Sequence, residues 1–179
     1  GIIQGLTEFL PISSTAHLRV LPHLFGWNDP GVSLSASLQL GSAVAIIYYF
    51  RSQIILIVDS FCSILKKRDV FNNQNTTLSA YIFIASIPIF ILGLIIKLYV
   101  PNYSDSNFRG LVSIAITSII MGTLLALSEI YGNGKKVFKD INLIDIIFLG
   151  FAQSLAIFPG VSRSGITLTS ALFSGIERK

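Results

Sequence analysis

The sequence predicts an all-α polytopic membrane protein with inverted-topology repeats and re-entrant helix hairpins. Three observations carry that expectation. Of the 179 residues, 52% are hydrophobic and only 12% charged, about half the charged share of soluble domains. Three stretches are apolar for about 20 residues, the length a spanning helix needs. Two further segments, at either end of the chain, are apolar but broken by Pro, Gly and runs of hydroxyl side chains.

The spanning stretches are Ser33–Phe50, Leu78–Val100 and Gly110–Tyr131. The first is at the short end and could lengthen into Ile54–Val58. Lys97 falls in the last turn of the second, where its stem can lie along apolar surface and its ammonium reach the interface. Between them, Ser60–Thr77, with Lys66-Lys67-Arg68 and Asn72-Asn73-Gln74-Asn75, reads as a loop, as do Pro101–Phe108 and Gly132–Asn142. Residues 51–77 hold four Lys or Arg, residues 101–109 one and residues 132–142 three. Basic residues favour cytoplasmic loops, so 51–77 and 132–142 are expected inside and 19–32 outside. The net charge of +4 therefore belongs to loop bias, and nucleic acid is not expected as a partner. The lone Cys62 excludes an internal disulfide and a cysteine metal cluster. Gln4, Glu8 and His17 interrupt any signal-peptide core. The first residue is not Met and the last are Glu177-Arg178-Lys179. The expectation is one membrane domain over 1–179, incomplete at both ends.

The end segments, 1–18 and 143–175, are related. At an offset of 149, Gly1 falls on Gly150, Gln4 on Gln153, Leu6 on Leu155, Phe9 on Phe158 and Ser13 on Ser162. Three spanning helices lie between them, an odd number, so the two copies should enter the membrane from opposite faces. Repeats of that kind place a site near the bilayer midplane, built from broken helices. Broken backbone at membrane depth has to be satisfied by protein or a water-filled cavity.

The first motif runs from Gln4 to His17. Gln4 and Glu8 are four apart and share a helix face. An acid in the membrane is costly and needs a partner or a role. Pro11 breaks the helix, and Ser13, Ser14, Thr15 and His17 follow. Hydroxyls, an imidazole and a carboxylate can bind phosphate, hold a divalent cation or activate a nucleophile. The plainer alternative is that the hydroxyls cap the next helix and Glu8 pairs with a basic group. His23, beside Pro22, lies beyond the motif. The second motif, Phe158-Pro-Gly-Val-Ser-Arg-Ser-Gly-Ile-Thr, sets Arg163 between Ser162 and Ser164. Gly160 and Gly165 would let backbone approach a ligand. Arginine offers a donor fork matched to phosphate and stays charged when desolvated. A helix beginning near Ser164 would add its dipole. The alternative is that Arg163 reaches for lipid headgroups. Gln39, inside the first spanning helix, faces either the same cavity or a packing neighbour. Glu129 and Asp145 read as interfacial, and Asp59 as having no special role.

Residues 4–18 (Gln-Gly-Leu-Thr-Glu-Phe-Leu-Pro-Ile-Ser-Ser-Thr-Ala-His-Leu) and 159–167 (Pro-Gly-Val-Ser-Arg-Ser-Gly-Ile-Thr) resemble the two signature motifs of the undecaprenyl-diphosphate phosphatase, or bacitracin-resistance protein, family. Gln39-Leu40-Gly41, Ile87-Pro88 and Leu92-Gly93-Leu94 are similar to family landmarks, so the resemblance covers the whole chain. It implies hydrolysis of a polyprenyl diphosphate lipid to the monophosphate, recycling the cell-wall lipid carrier at the bacterial cytoplasmic membrane. The site would open outward and use Mg2+ or Ca2+. Carried over, Gln4 and Glu8 match the Glu/Gln-x-x-x-Glu motif, with Glu8 the metal ligand. Ser14, Thr15 and His17 match the Ser-Ser-Thr-Gly-His positions, and Arg163 and Thr167 match the second motif. Two departures are Gln4, which cannot act as a base, and Ala16 in place of Gly. The family also implies further helices beyond Lys179.

The expected catalytic set is then Glu8, Ser14, His17 and Arg163. Gln4, Ser13, Thr15, Gln39, Gly160, Ser162, Ser164, Gly165 and Thr167 are expected around the substrate. Either Ser14 attacks phosphorus with His17 as base, or His17 attacks or activates water. Acid phosphatases of the membrane need a second histidine downstream of the Ser-Arg motif, and no histidine follows His23. The alternative from another class is a prenyl-phosphate transporter or flippase, since inverted repeats with broken helices are also a transporter architecture. Membrane lipids are expected neighbours, and the sequence carries no signal for or against a homo-oligomer.

Overall fold

A computed structural model describes residues 1–28, 31–67, 73–100, 103 and 109–178. The described residues form an all-α polytopic membrane protein of eight α-helices: α1 (Ile2–Phe9), α2 (Ser14–Phe25), α3 (Gly31–Tyr49), α4 (Arg51–Lys67), α5 (Gln74–Tyr99), α6 (Leu111–Tyr131), α7 (Leu143–Ser154) and α8 (Arg163–Phe173). Among them α5 and α6 are each long and apolar enough to cross a bilayer, and α3 with α4 makes a third such run bent by 83°. At 1.5 Å per residue, the 26 residues of α5 extend about 39 Å, which exceeds the ~30 Å hydrocarbon core. Side chains such as Phe90, Ile119 and Ile130 point away from the protein on α5 and α6, as lipid-facing positions do.

Two expectations about the first half change. The apolar run of α3 does not continue straight into Ile54–Val58. The helix stops at Tyr49 because Arg51 Nη1 donates to the Tyr48 carbonyl at 3.0 Å and its guanidinium sits over the Tyr48 ring, which satisfies the helix end. Nor is Ser60–Thr77 a loop throughout. Ser60–Lys67 belongs to α4, whose apolar positions pack on α5. Gln74–Thr77 opens α5 behind a capping box, with Asn73 accepting from the Asn75 amide and Thr76 Oγ1 from the Asn73 amide. Residues 68–72 lie outside the described set, as does most of the expected 101–108 loop.

The end segments are helix–break–helix hairpins, α1–α2 and α7–α8. At 1.5 Å per residue, the eight residues of α1 reach about 12 Å, and the twelve of α7 about 18 Å, each too short to cross. A short 3₁₀ turn, Leu155–Ile157, prolongs α7. The freed backbone of the second break is taken up by other elements. Thr117 Oγ1 on α6 donates to the Pro159 carbonyl at 2.9 Å, and Ser118 Oγ reaches the Gly160 carbonyl at 3.5 Å. Tyr103 Oη donates to the Ile157 carbonyl at 3.1 Å. Burial pushes that phenol up, with the Arg109 charge opposing, so it keeps the proton it donates.

Helix α6 packs on α8 and also on α2, so one spanning helix touches both hairpins. Helix α5 runs along α7, with Gly150 at the crossing. A Cβ there would lie 2.9 Å from the Ala85 carbonyl oxygen and 3.0 Å from its Cα, the close backbone approach that small residues permit between membrane helices. Gln153, one turn on, donates to that same carbonyl. At the far end Lys136 pairs with Asp145 at 2.9 Å, and Arg178 with Glu129. Gly150→Ala is expected to lower the melting temperature of the purified protein in detergent, and Gly150→Leu to lower it further, since overpacking costs about 1–3 kcal/mol of stability. Circular dichroism melts check this, and an unchanged midpoint for Gly150→Leu would refute the close crossing.

Candidate active site

The break in each hairpin is built by the same local chemistry. Ser13 takes φ 58 and ψ 96 and caps α2, its Oγ accepting from the Ala16 amide at 3.4 Å. Ser162 caps α8, its Oγ accepting from the Gly165 amide at 3.2 Å. In both, that Oγ also lies within hydrogen-bond reach of the hydroxyl two residues on, Thr15 at 3.2 Å and Ser164 at 3.1 Å. Ser13 and Ser162 are the positions paired by the 149-residue offset. Both breaks therefore present a hydroxyl cluster at a helix N-terminus, where the dipole favours negative charge.

The two N-termini meet. Ser164 Oγ donates to the Leu10 carbonyl at 3.3 Å, and a Cβ on Gly165 would sit 3.3 Å from the Pro11 carbonyl oxygen. Between them lies a cavity of about 90 Å³ lined by Thr7, Glu8, Ser13, Ser14, Thr15, Gln39, Ala156, Val161, Ser162, Arg163 and Ser164. At ~30 Å³ per water it has room for about three waters or one phosphoryl group. Arg163 also borders a larger, mainly apolar groove of about 660 Å³ along α5, beside Phe83, Ile87, Phe90 and Gln153.

Glu8 is the acceptor at the centre. Its Oε2 accepts from Ser14 Oγ and from Gln4 Nε2, the latter at 3.2 Å. Gln4 is only 2% exposed. Among the described residues Glu8 thus pairs with an amide and a hydroxyl and not with the basic group of the plainer alternative, and Ser13 does act as a cap. His17 does not line the cavity. It stands one turn after Ser14, with Nδ1 2.9 Å from the Ser13 carbonyl. A carbonyl only accepts, so Nδ1 carries the hydrogen, and in the neutral ring Nε2 is left as acceptor. The carboxylate, rather than the imidazole, is therefore the group hydrogen-bonded to Ser14.

The remaining expected residues divide. Ser13, Thr15, Gln39, Ser162, Ser164 and Arg163 line the cavity. Thr167 spends its hydroxyl on its own helix, on the Arg163 and Ser164 carbonyls at 2.9 and 3.1 Å. The glycines bring protein, not ligand, close. Gly160 has φ 95, and a Cβ there would lie 2.1 Å from Thr117 Oγ1 and 2.8 Å from the Ile114 carbonyl oxygen. Gly165 packs the second break against the first. Thr7 belongs to the wall and was not expected there, although its place three residues after Gln4 puts both on one helix face. Ser42 was also missed; a serine in an apolar helix has no local signal for the tertiary bond it makes.

A family model described as "Bacitracin resistance protein BacA" matches residues 1–179. The chain belongs to the BacA family. It is 74% identical over its full length to the undecaprenyl-diphosphatase of Prochlorococcus marinus (strain NATL1A) and 73% identical to that of strain NATL2A. It is 46% identical over 99% of its length to the undecaprenyl-diphosphatase of Synechococcus elongatus. The chain spans 64% of the length of the two Prochlorococcus relatives and 62% of the Synechococcus one. The motif residues of this BacA family member thus sit on two short hairpins held together by α6.

Ser13→Ala and Ser162→Ala each remove a helix cap, which is worth about 1 kcal/mol. Each is expected to lower the melting temperature in detergent by a few degrees. If neither shifts it, the caps do not hold the breaks.

Proposed function

We propose that the protein is a membrane phosphatase that hydrolyses undecaprenyl diphosphate to undecaprenyl phosphate and inorganic phosphate at the bacterial cytoplasmic membrane, its site opening to the outer face. The observation that carries this reading is the single cavity in which Arg163 of one hairpin faces the Glu8–Ser14 pair of the other. The names of the relatives support the substrate, and the excess of Lys and Arg in residues 51–77 and 132–142 supports the orientation. The two hairpins are read as inverted repeats entering from opposite faces.

An amphiphile with an anionic head suits the surroundings. Arg163 stands where the polar cavity joins the apolar groove, so a diphosphate held by its guanidinium leaves the hydrocarbon chain beside Phe83, Ile87 and Phe90. The amides at the starts of α2 and α8 add positive potential to the same space. In the step proposed, the Ser14 hydroxyl transfers its proton to Glu8 as Ser14 Oγ bonds to the terminal phosphorus. The bond from that phosphorus to the bridging oxygen breaks, and the lipid monophosphate leaves. Water then attacks the phosphorus of the phosphoserine, and the bond to Ser14 Oγ breaks as protonated Glu8 returns its proton to that oxygen. Inorganic phosphate leaves carrying the hydroxyl of the water, whose other proton passes to a phosphate oxygen. Arg163 and the helix ends counter charge on the equatorial oxygens, the dominant requirement in phosphoryl transfer.

The donor set also fits a divalent cation in one specific way. Among the described residues no three His, Cys, Asp or Glu side chains cluster, and Glu8 is the one carboxylate lining the cavity. Magnesium is commonly held by one or two carboxylates together with substrate phosphates. Glu8 with the cavity hydroxyls would hold Mg2+ or Ca2+ jointly with the diphosphate, and the ion would neutralise phosphate charge. A transporter or flippase is the less favoured reading. A carboxylate hydrogen-bonded to a hydroxyl inside an anion site works against tight phosphate binding, but it is what a serine nucleophile needs.

Purified full-length protein in detergent is expected to release inorganic phosphate from undecaprenyl diphosphate. Losing one charged contact to a transferring phosphoryl group costs about 10²–10³-fold in rate, so Arg163→Ala should fall by that much, with Arg163→Lys only partly restoring it. Wild-type turnover in Arg163→Ala would overturn the site. Chelation should suppress release, with recovery on adding back Mg2+ or Ca2+; release untouched by chelator would remove the cation from the account.

A further inference from the structure

Ser42 lies in the middle of α3, a helix otherwise turned largely outward, yet its side chain is only 7% exposed. Hydroxyls on apolar helices commonly bond back to the carbonyl four residues earlier, and Ser35, Ser37 and Ser86 do so here. Ser42 instead reaches out of its helix, and Ser42 Oγ donates to Gln4 Oε1 at 3.1 Å. Gln4 then donates from Nε2 to Glu8 Oε2, which also receives Ser14. The chain of donors runs Ser42 to Gln4 to Glu8, with Ser14 arriving at the same carboxylate oxygen.

The direction of that chain is forced by chemistry. A carboxylate accepts and cannot donate, so the amide must turn its NH2 toward Glu8 and its oxygen away. The oxygen so turned is buried and needs a donor, since an unmet buried acceptor costs about 1–3 kcal/mol. Ser42 is that donor. Without it the amide gains by rotating its oxygen elsewhere, and a carbonyl would then face the Glu8 carboxylate.

We propose that Ser42 is a positioning residue for catalysis: it sets the orientation of the Gln4 amide, which in turn fixes the Glu8 carboxylate against the Ser14 hydroxyl. The proposal rests on the phosphatase reading for its kinetic consequence and on geometry alone for its structural one. Ser42 touches neither the cavity nor any reacting atom, so its effect passes entirely through Gln4. It therefore belongs with turnover and not with substrate affinity.

The test uses full-length protein in detergent with undecaprenyl diphosphate. Ser42→Ala is expected to lower kcat about tenfold, the low end of what partners supporting a reactive ligand are worth, with KM within about twofold. Ser42→Thr, which keeps the hydroxyl, should recover most of kcat. In a Gln4→Ala background, Ser42→Ala should cost nothing further, because coupled residues are not additive. Wild-type kcat in Ser42→Ala, equal losses in Ser42→Ala and Ser42→Thr, or multiplying losses in the Gln4→Ala background would each overturn the proposal. A second readout needs no turnover. With ¹⁵N-labelled glutamine, the Gln4 side-chain NH2 signals are identified by their disappearance in Gln4→Ala. They should be two resolved protons in wild type and Ser42→Thr, and shift and average in Ser42→Ala. Signals identical in wild type and Ser42→Ala would refute the positioning even if phosphate release is normal. Absent release with responsive signals would refute the phosphatase reading and leave the positioning standing.

Discussion

Among the described residues, the structure depends on holding a carboxylate inside a membrane protein on neutral hydrogen-bond partners. Glu8 is stabilised by neutral donors, the Gln4 amide and the Ser14 hydroxyl, at the edge of a cavity that admits polar groups. An ionised acid in hydrocarbon is costly, and the cheapest remedy is a neighbouring Lys or Arg. A cation paired with Glu8 would have its charge neutralised by the carboxylate and not be offered to an anion. Neutral donors leave Glu8 an acceptor, and they leave Arg163, across the cavity, uncommitted to it. The arrangement sets the two charges around one cavity of about 90 Å³.

Everything around that pair serves to bring two broken helices to one point. A break at membrane depth frees backbone groups that lipid cannot satisfy. Here they are met by hydroxyls from outside the hairpin: Thr117 and Ser118 of α6 at Pro159 and Gly160, and Ser164 of the second hairpin at Leu10. Gly160 and Gly165 make these approaches sterically open. The glycines of the second motif are thus structural conditions for the site more than parts of its surface.

Much of this is legible in the sequence because the relevant signals are local. Charge depletion and apolar length announce the membrane. Pro11 and the Pro159-Gly160 pair announce the breaks, and the match of Ser13 with Ser162 points to equivalent caps. What escapes is whatever depends on a tertiary partner. The end of the first span at Phe50 is read to within one residue, but the 83° bend into α4 is not. The helix through Ser60–Lys67 is hidden by its polar face, and its apolar face has meaning only against α5. Ser42 is one serine among several in α3. His17 looks like the base for Ser14 by proximity along the chain, yet Glu8, six residues earlier, is the group in contact.

That last contact gives the most direct test. Undecaprenyl diphosphate labelled in its terminal phosphate, mixed with full-length protein and quenched in acid during turnover, should leave label on the protein. The account predicts acid-stable phosphoserine at Ser14, absent in Ser14→Ala. Acid-labile label at His17, or turnover with no labelled protein at any quench time, would contradict it.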